Sequence, residues 1–163
     1  MDRMTIRAAR PDEYGAVERL MKQVHAMHVQ WRPDVFAMPE TVLPEDVFAA
    51  DAADDRLIVA EKAGQVLAVM QLQLRHVERP GRITENMLHI DALGVDESCR
   101  GQGVGRALIE EAKRIARARG CTGITLGVYA CNEHAVQMYE HCGFTARSIN
   151  MEMKLTDGCA KER

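Results

Sequence analysis

The strongest local signal in the sequence is Arg100-Gly101-Gln102-Gly103-Val104-Gly105-Arg106. Its glycines stand at alternate positions and remove every second side chain, so the backbone N–H groups can turn inward and line a concavity. An amphipathic helix follows at once, and the positive end of a helix favours negative charge. The stretch therefore predicts an anion-binding site suited to a pyrophosphate.

Two better-known phosphate-binding loops do not fit this spacing. The Rossmann pattern Gly-x-Gly-x-x-Gly, started at Gly101, would need a glycine where Arg106 stands. The P-loop pattern Gly-x-x-x-x-Gly-Lys-Ser/Thr, counted from each glycine in turn, would place its second glycine on Arg106, Leu108 or Glu110. A glycine turn without a ligand is the alternative that the loop alone leaves open.

The second half of the chain alternates strands with helices around this loop. Hydrophobic periodicity predicts an amphipathic helix from about Gly103 to Arg119, with Gly120 as its C-terminal cap. The other predicted elements are a strand Asn86–Val95 before the loop, a strand Thr122–Tyr129, a helix capped by Asn132 and ending at Gly143, and a final strand region Phe144–Leu155. Strands joined through a helix are typical of a parallel pair.

The first half of the chain predicts an antiparallel hairpin. In the predicted strand Gln65–His76, Met70, Leu72 and Leu74 alternate with polar residues, which indicates one buried and one wet face. The other predicted elements are a strand Met4–Ala9, a helix from Pro11 to Trp31, a short helix Glu45–Ala50 and a strand Leu57–Ala60. Both halves together predict a single α/β domain whose mixed, mostly antiparallel sheet contains a parallel strand pair flanked by helices.

Composition narrows the class of protein. The 163 residues fit one domain, which we expect at 1–156, with a loose tail at 157–163. The net charge of −3 disfavours nucleic acid as a partner. No apolar stretch predicts a secretory signal or a membrane segment, so we expect a cytoplasmic protein without a membrane partner. The five cysteines form no Cys-x-x-Cys pair, which predicts reduced thiols and no metal site.

A second block of motif residues follows the glycine loop and consists of Asn132, Ala135, Tyr139 and Gly143-Phe144. Arg100, Gly103 and Gly105 match the signature Gln/Arg-x-x-Gly-x-Gly/Ala. The two blocks, in this order and separation, resemble the Gcn5-related N-acetyltransferase (GNAT) superfamily. The resemblance implies the GNAT fold with a splayed central strand pair, and acetyl-CoA as co-substrate. It also implies transfer of the acetyl group to a primary amine of a small molecule or peptide.

The resemblance also assigns residues to the acetyl-CoA site. The strand edge at Leu93, Gly94 and Val95 would pair with the pantetheine arm, and the Leu93 N–H would face the carbonyl oxygen that becomes negative. The loop residues that would hold the pyrophosphate are Arg100, Gly101, Gln102, Gly103, Val104, Gly105 and Arg106. Asn132 would contact the pantetheine or phosphate region. Tyr139 would contact the sulfur and is the candidate general acid, with an ordinary core tyrosine as the alternative.

The sequence leaves the general base open. Period-two alternation places His89, Asp91 and Leu93 on one face of the strand, so His89 or Asp91 can take the amine proton. Glu85, at the start of the strand, is a third candidate. The protein-lysine branch of the family has a strand glutamate that would fall on about Met87 here, which disfavours a histone-like mechanism. Each candidate can also be a solvated or paired strand residue.

The acceptor is not identified by the sequence. A loop with the acidic residues Asp34, Glu40, Glu45 and Asp46 can attract a cationic amine, or it can simply be solvated. A catalytically inactive acyl-CoA-binding regulatory module is the alternative function. A homodimer is expected by analogy with the family alone.

Overall fold

Within residues 3–155 the sheet has five strands, whose spatial order is also their order along the chain. The computed structural model describes residues 3–155, so the predicted tail at 157–163 lies outside the described residues. The strands are β1 (Thr5–Ala8), β2 (Leu57–Lys62), β3 (Gln65–Val77), β4 (Glu85–Val95) and β5 (Gly123–Leu126). The helices are α1 (Tyr14–Trp31), α2 (Glu45–Ala53), α3 (Val104–Ala118) and α4 (Glu133–His141), with short 3-10 turns at Pro11–Glu13 and Glu97–Cys99.

Strands β1 to β4 form an antiparallel meander, and β5 joins β4 in parallel. The connection from β4 to β5 runs through α3, because a parallel neighbour can be reached only by a crossover. The predicted fold class, a mixed and mostly antiparallel sheet with a parallel strand pair flanked by helices, is confirmed.

Apolar side chains cover both faces of the sheet. The core between α3 and the sheet contains Met70, Leu88, Ile90, Leu108 and Ile109. The core between α1, α2 and the opposite face contains Leu20, Phe48, Val59 and Val69. Full burial of one such side chain contributes about 1.5–3 kcal/mol relative to exposure. Packing on both faces therefore holds the helices in fixed positions around β4.

A buried carboxylate ties the loop after α1 to that helix. Glu18 is buried in α1, and its two carboxylate oxygens accept hydrogen bonds from the backbone N–H groups of Val42 (2.9 Å) and Leu43 (2.8 Å). Leu43 itself is buried in the core beneath α2. The loop that precedes α2 is thus anchored at its far end.

Three sequence predictions of extent are wrong. Strand β5 ends at Leu126 rather than Tyr129, because its pairing with β4 stops there. Residues 144–155 form no strand, since beyond Phe144 they have no backbone hydrogen bond to another described residue. The buried face of β3 ends at Leu72, and Leu74 is 51% exposed.

Candidate active site

A cleft opens where β4 and β5 separate. Their parallel pairing runs from Met87 opposite Gly123 to Ile90 opposite Leu126, and β4 continues to Val95 after β5 has ended. The β4 backbone from residue 91 to residue 95 therefore has no β5 partner on this side. An unpaired strand edge can accept an extended chain through main-chain hydrogen bonds.

A β-bulge lies at the start of this cleft. Ala92 pairs with Gln71 and Ile90 pairs with Leu72, so Asp91 has no partner on β3. An extra residue shifts the alternation of side chains by one position.

This shift corrects the predicted face of Leu93. Leu93 packs with Leu88 and Ile90 against the core under α3, whereas Ala92 joins the core under α1. Leu93 therefore does not share a face with His89, because the bulge lies between them.

The glycine loop presents unused backbone donors. Gly101 and Gly103 adopt positive φ values of +75° and +83°, and Gly103 is the N-cap of α3 without a capping side chain. The N–H of Cys99 donates to Asp96 O (2.9 Å), and the next backbone donor outside the regular elements is Ala107 N, to Gly103 O (3.0 Å). Between them, the amides of Arg100 to Arg106 donate to no acceptor in the described part of the chain.

Side chains hold this loop in place. The Asp96 carboxylate accepts hydrogen bonds from Ser98 Oγ (2.6 Å) and Ser98 N (3.1 Å) and forms an ion pair with Arg19 of α1. These contacts hold the pKa of Asp96 well below its usual range, the Ser98 hydrogen bond contributing most. Arg100 Nε donates to Val95 O (3.1 Å), and Gln102 Nε2 donates to Ser98 O (3.1 Å). The side chains of Arg100 and Gln102 thus turn back onto the loop and leave its amides free.

Gly105 allows α3, α4 and β4 to meet closely. A Cβ atom at this position would lie 3.2 Å from Met138 Sδ, 3.6 Å from Val95 Cγ2 and 3.7 Å from Leu93 Cδ2. The start of α3, the end of β4 and the middle of α4 therefore converge at one point. Tyr139 follows Met138 directly and is placed by this packing.

Tyr139 is mostly buried, with its ring edge-on to Phe144 at 5.7 Å. Burial raises the pKa of Tyr139, and the neighbouring Cys142 adds to the effect. Among the described residues, Arg56 Nε is the one fully buried side-chain N or O atom without a hydrogen-bond partner. The Tyr139 hydroxyl has no described partner either, so it must reach solvent. It is a protonated group available to a ligand.

His89 and Asp91 lie together, as the sequence predicts. His89 Nδ1 is 2.9 Å from Thr125 Oγ1 on β5, and His89 Nε2 is 3.6 Å from Asp91 Oδ1. Asp91 also accepts a hydrogen bond from Arg75 (3.3 Å). Desolvation lowers the pKa of His89, Arg75 lowers it further, and Asp91 opposes both effects. His89 is therefore neutral at pH 7 and can accept a proton.

Glu85 lies apart from this group. It is about 20 Å from Asp91 along β4, at roughly 3.3 Å per residue. Its carboxylate pairs with Arg147 (2.9 Å) and Arg82 (3.1 Å), and the Arg147 hydrogen bond lowers the pKa of Glu85. A carboxylate held by two guanidinium groups is a weak base, so the structure disfavours this third candidate.

Asn132 acts as the N-cap of α4. Its side-chain oxygen accepts a hydrogen bond from Ala135 N (3.3 Å), which satisfies one of the free donors of the helix. The side-chain NH2 group has no partner among residues 3–155 and can still donate to a ligand.

An aromatic cluster that the sequence did not predict stands at the open end of the cleft. His28 is surrounded by Phe36 at 5.4 Å and by Trp31 and Tyr129 at 5.6 Å each, measured between ring centroids. Desolvation lowers the pKa of His28, and His25 adds to the effect. Aromatic residues are rare, at 4% of the chain, and two of them, Trp31 and Phe36, lie at the start of the predicted acidic loop. This concentration is the sequence signal that could have indicated the cluster.

The acidic loop is partly neutralised. Asp34 forms ion pairs with Arg32 (2.8 Å) and Lys154, and the Arg32 hydrogen bond does most to hold the pKa of Asp34 well below its usual range. None of the helices within residues 3–155 is long and apolar enough to cross a membrane.

Comparison with known proteins places these features in a family. The sequence matches the acetyltransferase (GNAT) family over residues 22–144. A mycothiol acetyltransferase from Amycolatopsis mediterranei is 29% identical over 139 residues, which are 85% of this chain and 46% of that protein. The chain thus spans about half the length of this relative.

Solved structures share the fold. A mutant of the BH1408 protein from Bacillus halodurans has a TM-score of 0.87 at 29% identity, over 93% of this chain and 99% of that one. The aminoglycoside N-acetyltransferase AAC(6')-Iy, solved in complex with CoA, has a TM-score of 0.68 at 19% identity, over 95% and 96% of the two chains. The family match includes the glycine loop, the cleft and Tyr139, and this protein therefore belongs to the acetyltransferase (GNAT) family.

Proposed function

We propose that this protein transfers the acetyl group of acetyl-CoA directly to a primary amine of a small molecule or peptide. The observation that carries the proposal is the run of free backbone amides from Arg100 to Arg106, at the N-terminus of α3 and next to the unpaired edge of β4. A row of N–H groups at the positive end of a helix is a site for an anion such as a diphosphate.

The unpaired edge of β4 supports binding of an extended ligand arm beside the loop. The β4 edge beyond Ile90 has no β5 partner, and apart from Val95 O, which accepts from Arg100 Nε, its outward backbone groups can bond to the amides of pantetheine. In this proposal the Leu93 N–H stabilises the oxyanion that forms when the amine attacks the thioester carbon. Acetyl-CoA supplies an already activated acyl group, so positioning contributes most of the rate enhancement.

Tyr139 is proposed as the group that protonates the departing thiolate. Its hydroxyl is protonated at neutral pH because burial raises the pKa of Tyr139, and it has no described partner that would compete for its proton. Its helix packs against Gly105, where the loop meets β4. A proton donor at this point would favour breakdown of the tetrahedral intermediate to products, because it neutralises the departing CoA thiolate.

His89 is proposed as the base that takes the amine proton. An alkylamine has a pKa of about 10.4 in model compounds, so it must lose a proton before it attacks. If Nδ1–H donates to Thr125 Oγ1, then Nε2 carries the free lone pair. The 3.6 Å gap between Nε2 and Asp91 leaves Nε2 without a direct hydrogen bond, so it can contact the amine or a water. Asp91, the unpaired residue of the bulge, would then attract the ammonium form of the acceptor.

The acceptor is proposed to enter between this group and the aromatic cluster of His28, Trp31, Phe36 and Tyr129. Aromatic faces and carboxylates such as Asp91 both favour a cation. The related proteins named above act on mycothiol or aminoglycosides, which supports a small-molecule acceptor. A peptide amine is the second possibility.

A two-stage assay tests the proposal. Calorimetric titration with CoA, acetyl-CoA, NAD and ATP should give binding of the two CoA forms only. Incubation with acetyl-CoA and a library of amines, read by mass spectrometry and by release of free CoA thiol, should give an acetylated amine, with heat-denatured protein as control. Absence of CoA binding would refute the assignment. Binding without turnover on any amine would instead support the acyl-CoA-binding regulatory module.

A further inference from the structure

A guanidinium group and a carboxylate lie side by side next to the proposed base. Arg75 Nη2 donates to Asp91 Oδ1 at 3.3 Å, and the same Asp91 oxygen is 3.6 Å from His89 Nε2. The side chains of Arg75 and Asp91 are 45% and 35% exposed, so both are open to a ligand. In the function proposed above, Asp91 and His89 act on the amine, whereas Arg75 has no contact with the acceptor.

Both members of this pair keep free hydrogen-bonding capacity. Arg75 Nε donates to Gln73 Oε1 (2.9 Å), while Arg75 Nη1 donates to no acceptor within residues 3–155. Asp91 Oδ2 accepts no hydrogen bond from the same part of the chain. The guanidinium group can therefore bind a carboxylate end-on, through Nη1 and the second hydrogen of Nη2. The free oxygen of Asp91 can bind an ammonium group.

The pair lies on the face of the sheet that α1 covers. Val69 of β3 is buried in the core under α1, and Arg75 follows it at an even spacing along the same strand, so both side chains lie on one face. The aromatic cluster around His28 stands on this face as well, because His28 belongs to α1. The Arg75–Asp91 pair and the aromatic cluster therefore border one space beside His89.

Tyr129 brings apolar surface to this space. It follows Thr125, the hydrogen-bond partner of His89, by four residues, and four residues span at most about 14 Å. Tyr129 is 36% exposed and its neighbour Val128 is 40% exposed, so the cluster leaves apolar surface open. An apolar side chain on an acceptor whose amine lies at His89 can cover part of this surface.

We propose that the acceptor is an α-amino acid with a large apolar side chain, and that Arg75 binds its carboxylate; the inference rests on the acetyltransferase function proposed above. Arg75 and Asp91 are in contact, so only an acceptor whose own opposite charges are equally close can use both. In an α-amino acid, two bonds of about 1.5 Å each join the amine nitrogen to the carboxylate carbon. An acceptor with an ammonium group alone would be attracted by Asp91 and repelled by Arg75.

The bond changes use only groups that the proposed function already contains. The ammonium group at Asp91 transfers one proton to His89, and the neutral amine attacks the thioester carbon. A C–N bond forms and the C–S bond breaks, which gives an N-acetyl amino acid and the CoA thiolate. Tyr139 protonates the thiolate, and the second amine proton restores Tyr139 through solvent. The carboxylate bound by Arg75 takes no part in these steps, so it determines which amine is selected.

Three acceptors that differ only at the carboxylate test the role of Arg75. Phenylalanine, phenylalaninamide and phenethylamine share the amine and the ring, but only phenylalanine has the carboxylate. Their kcat/KM values are compared in wild type, Arg75→Gln, Arg75→Lys and a matched control, Arg79→Gln, which removes an exposed cation just beyond the end of β3. Ratios between acceptors in one protein at one pH cancel any effect of a variant on the base. Circular dichroism checks that each variant folds.

We expect wild type and Arg79→Gln to favour phenylalanine over both analogues to the same degree. This preference should fall about tenfold in Arg75→Gln, because a charge-assisted hydrogen-bonded pair is lost. Arg75→Lys should keep part of the preference, since it retains the charge without the planar fork. Calorimetric titration of the CoA-bound proteins with phenylalanine should give the same order of affinities without turnover. Leucine, methionine and tryptophan should be acetylated faster than alanine and glutamate by the wild type.

An equal preference in wild type and Arg75→Gln overturns the proposal. A wild type that acetylates phenethylamine or another amine without a carboxylate faster than any amino acid overturns it too. A wild type whose best acceptor is a polar amino acid such as glutamate refutes the apolar side chain. All three results leave acetyl transfer to amines in place. Turnover of no amine at all refutes the acetyltransferase function itself and this inference with it.

Discussion

Adding one methyl group at Gly103 or at Gly105 separates two reasons for glycine in the loop. At Gly103 the added Cβ would meet nothing within 4 Å, but the φ of +83° is one that L side chains rarely adopt. At Gly105 the Cβ would lie 3.2 Å from Met138 Sδ, the end of a flexible side chain, and the backbone is helical. Gly103→Ala thus tests backbone conformation, and Gly105→Ala tests local packing.

The cost of Gly103→Ala follows from its backbone. Holding a non-glycine residue in the left-handed region costs about 1–2 kcal/mol. If the loop relaxes in the free protein and must be restored on binding, affinity for CoA falls about 5- to 30-fold, since 1.36 kcal/mol is tenfold. If the loop keeps its φ, the same cost appears in unfolding, as a Tm lower by roughly 2–8 °C. Gly105→Ala should change either quantity by less than about 1 kcal/mol, because the helical preference of Ala over Gly offsets the displacement of the flexible Met138 side chain.

Calorimetric titration with CoA measures the loss of binding free energy, and thermal unfolding measures the loss of stability. Both are carried out on the wild type and the two alanine variants. We expect the sum of the losses in binding and unfolding free energy to reach about 1–2 kcal/mol for Gly103→Ala alone. Unchanged Kd and Tm in Gly103→Ala would show that its positive φ is not required. Equal losses in both variants would show that crowding at the loop, and not backbone conformation, selects glycine.

Three further predictions concern the acid, the base and the anchored loop. Tyr139→Phe should lower kcat by roughly 100-fold while Kd for acetyl-CoA changes little; normal turnover in stopped assays contradicts the acid role. Activity should rise with pH through the pKa of His89, because in our proposal the neutral ring is the base. Arg75→Gln removes a cation that lowers this pKa and should move the acid limb of the kcat/KM profile to higher pH, whereas Asp91→Asn should move it to lower pH; shifts in the same direction would contradict the assignment. Glu18→Gln should cost about 1–3 kcal/mol in denaturant unfolding, because one buried N–H of the loop loses its acceptor; an unchanged midpoint would show that these bonds are dispensable.

Local signals predicted the helices and the glycine loop well. The positive φ values of Gly101 and Gly103 follow from residue type, and α3 follows from an apolar stripe that starts at the loop. The capping role of Asn132 was also visible in the sequence. Each of these features depends on neighbours within a few residues, which the sequence displays directly.

Features that depend on distant partners were not predictable from the chain alone. The face of Leu93 is set by the bulge at Asp91, which arises from the register of β4 on β3. The aromatic cluster around His28 brings together residues from α1, from the following loop and from beyond β5. Residues 144–155 have the alternation of a strand, but no partner within the described chain pairs with them. Alternation indicates that a segment can pair with another strand, but it does not identify that strand.

The unpaired Asp91 has a consequence for recombining this protein with its relatives. Removing Asp91 itself would leave a regular strand, because Ile90 and Ala92 keep their partners on β3 and already lie on opposite faces of the sheet. A chimaera with a relative one residue shorter in this strand should therefore place the gap at Asp91. With Gly94 packed against α1, a gap placed at His89 instead would turn the residues that precede it to the opposite face, even if every exchanged amino acid were conservative.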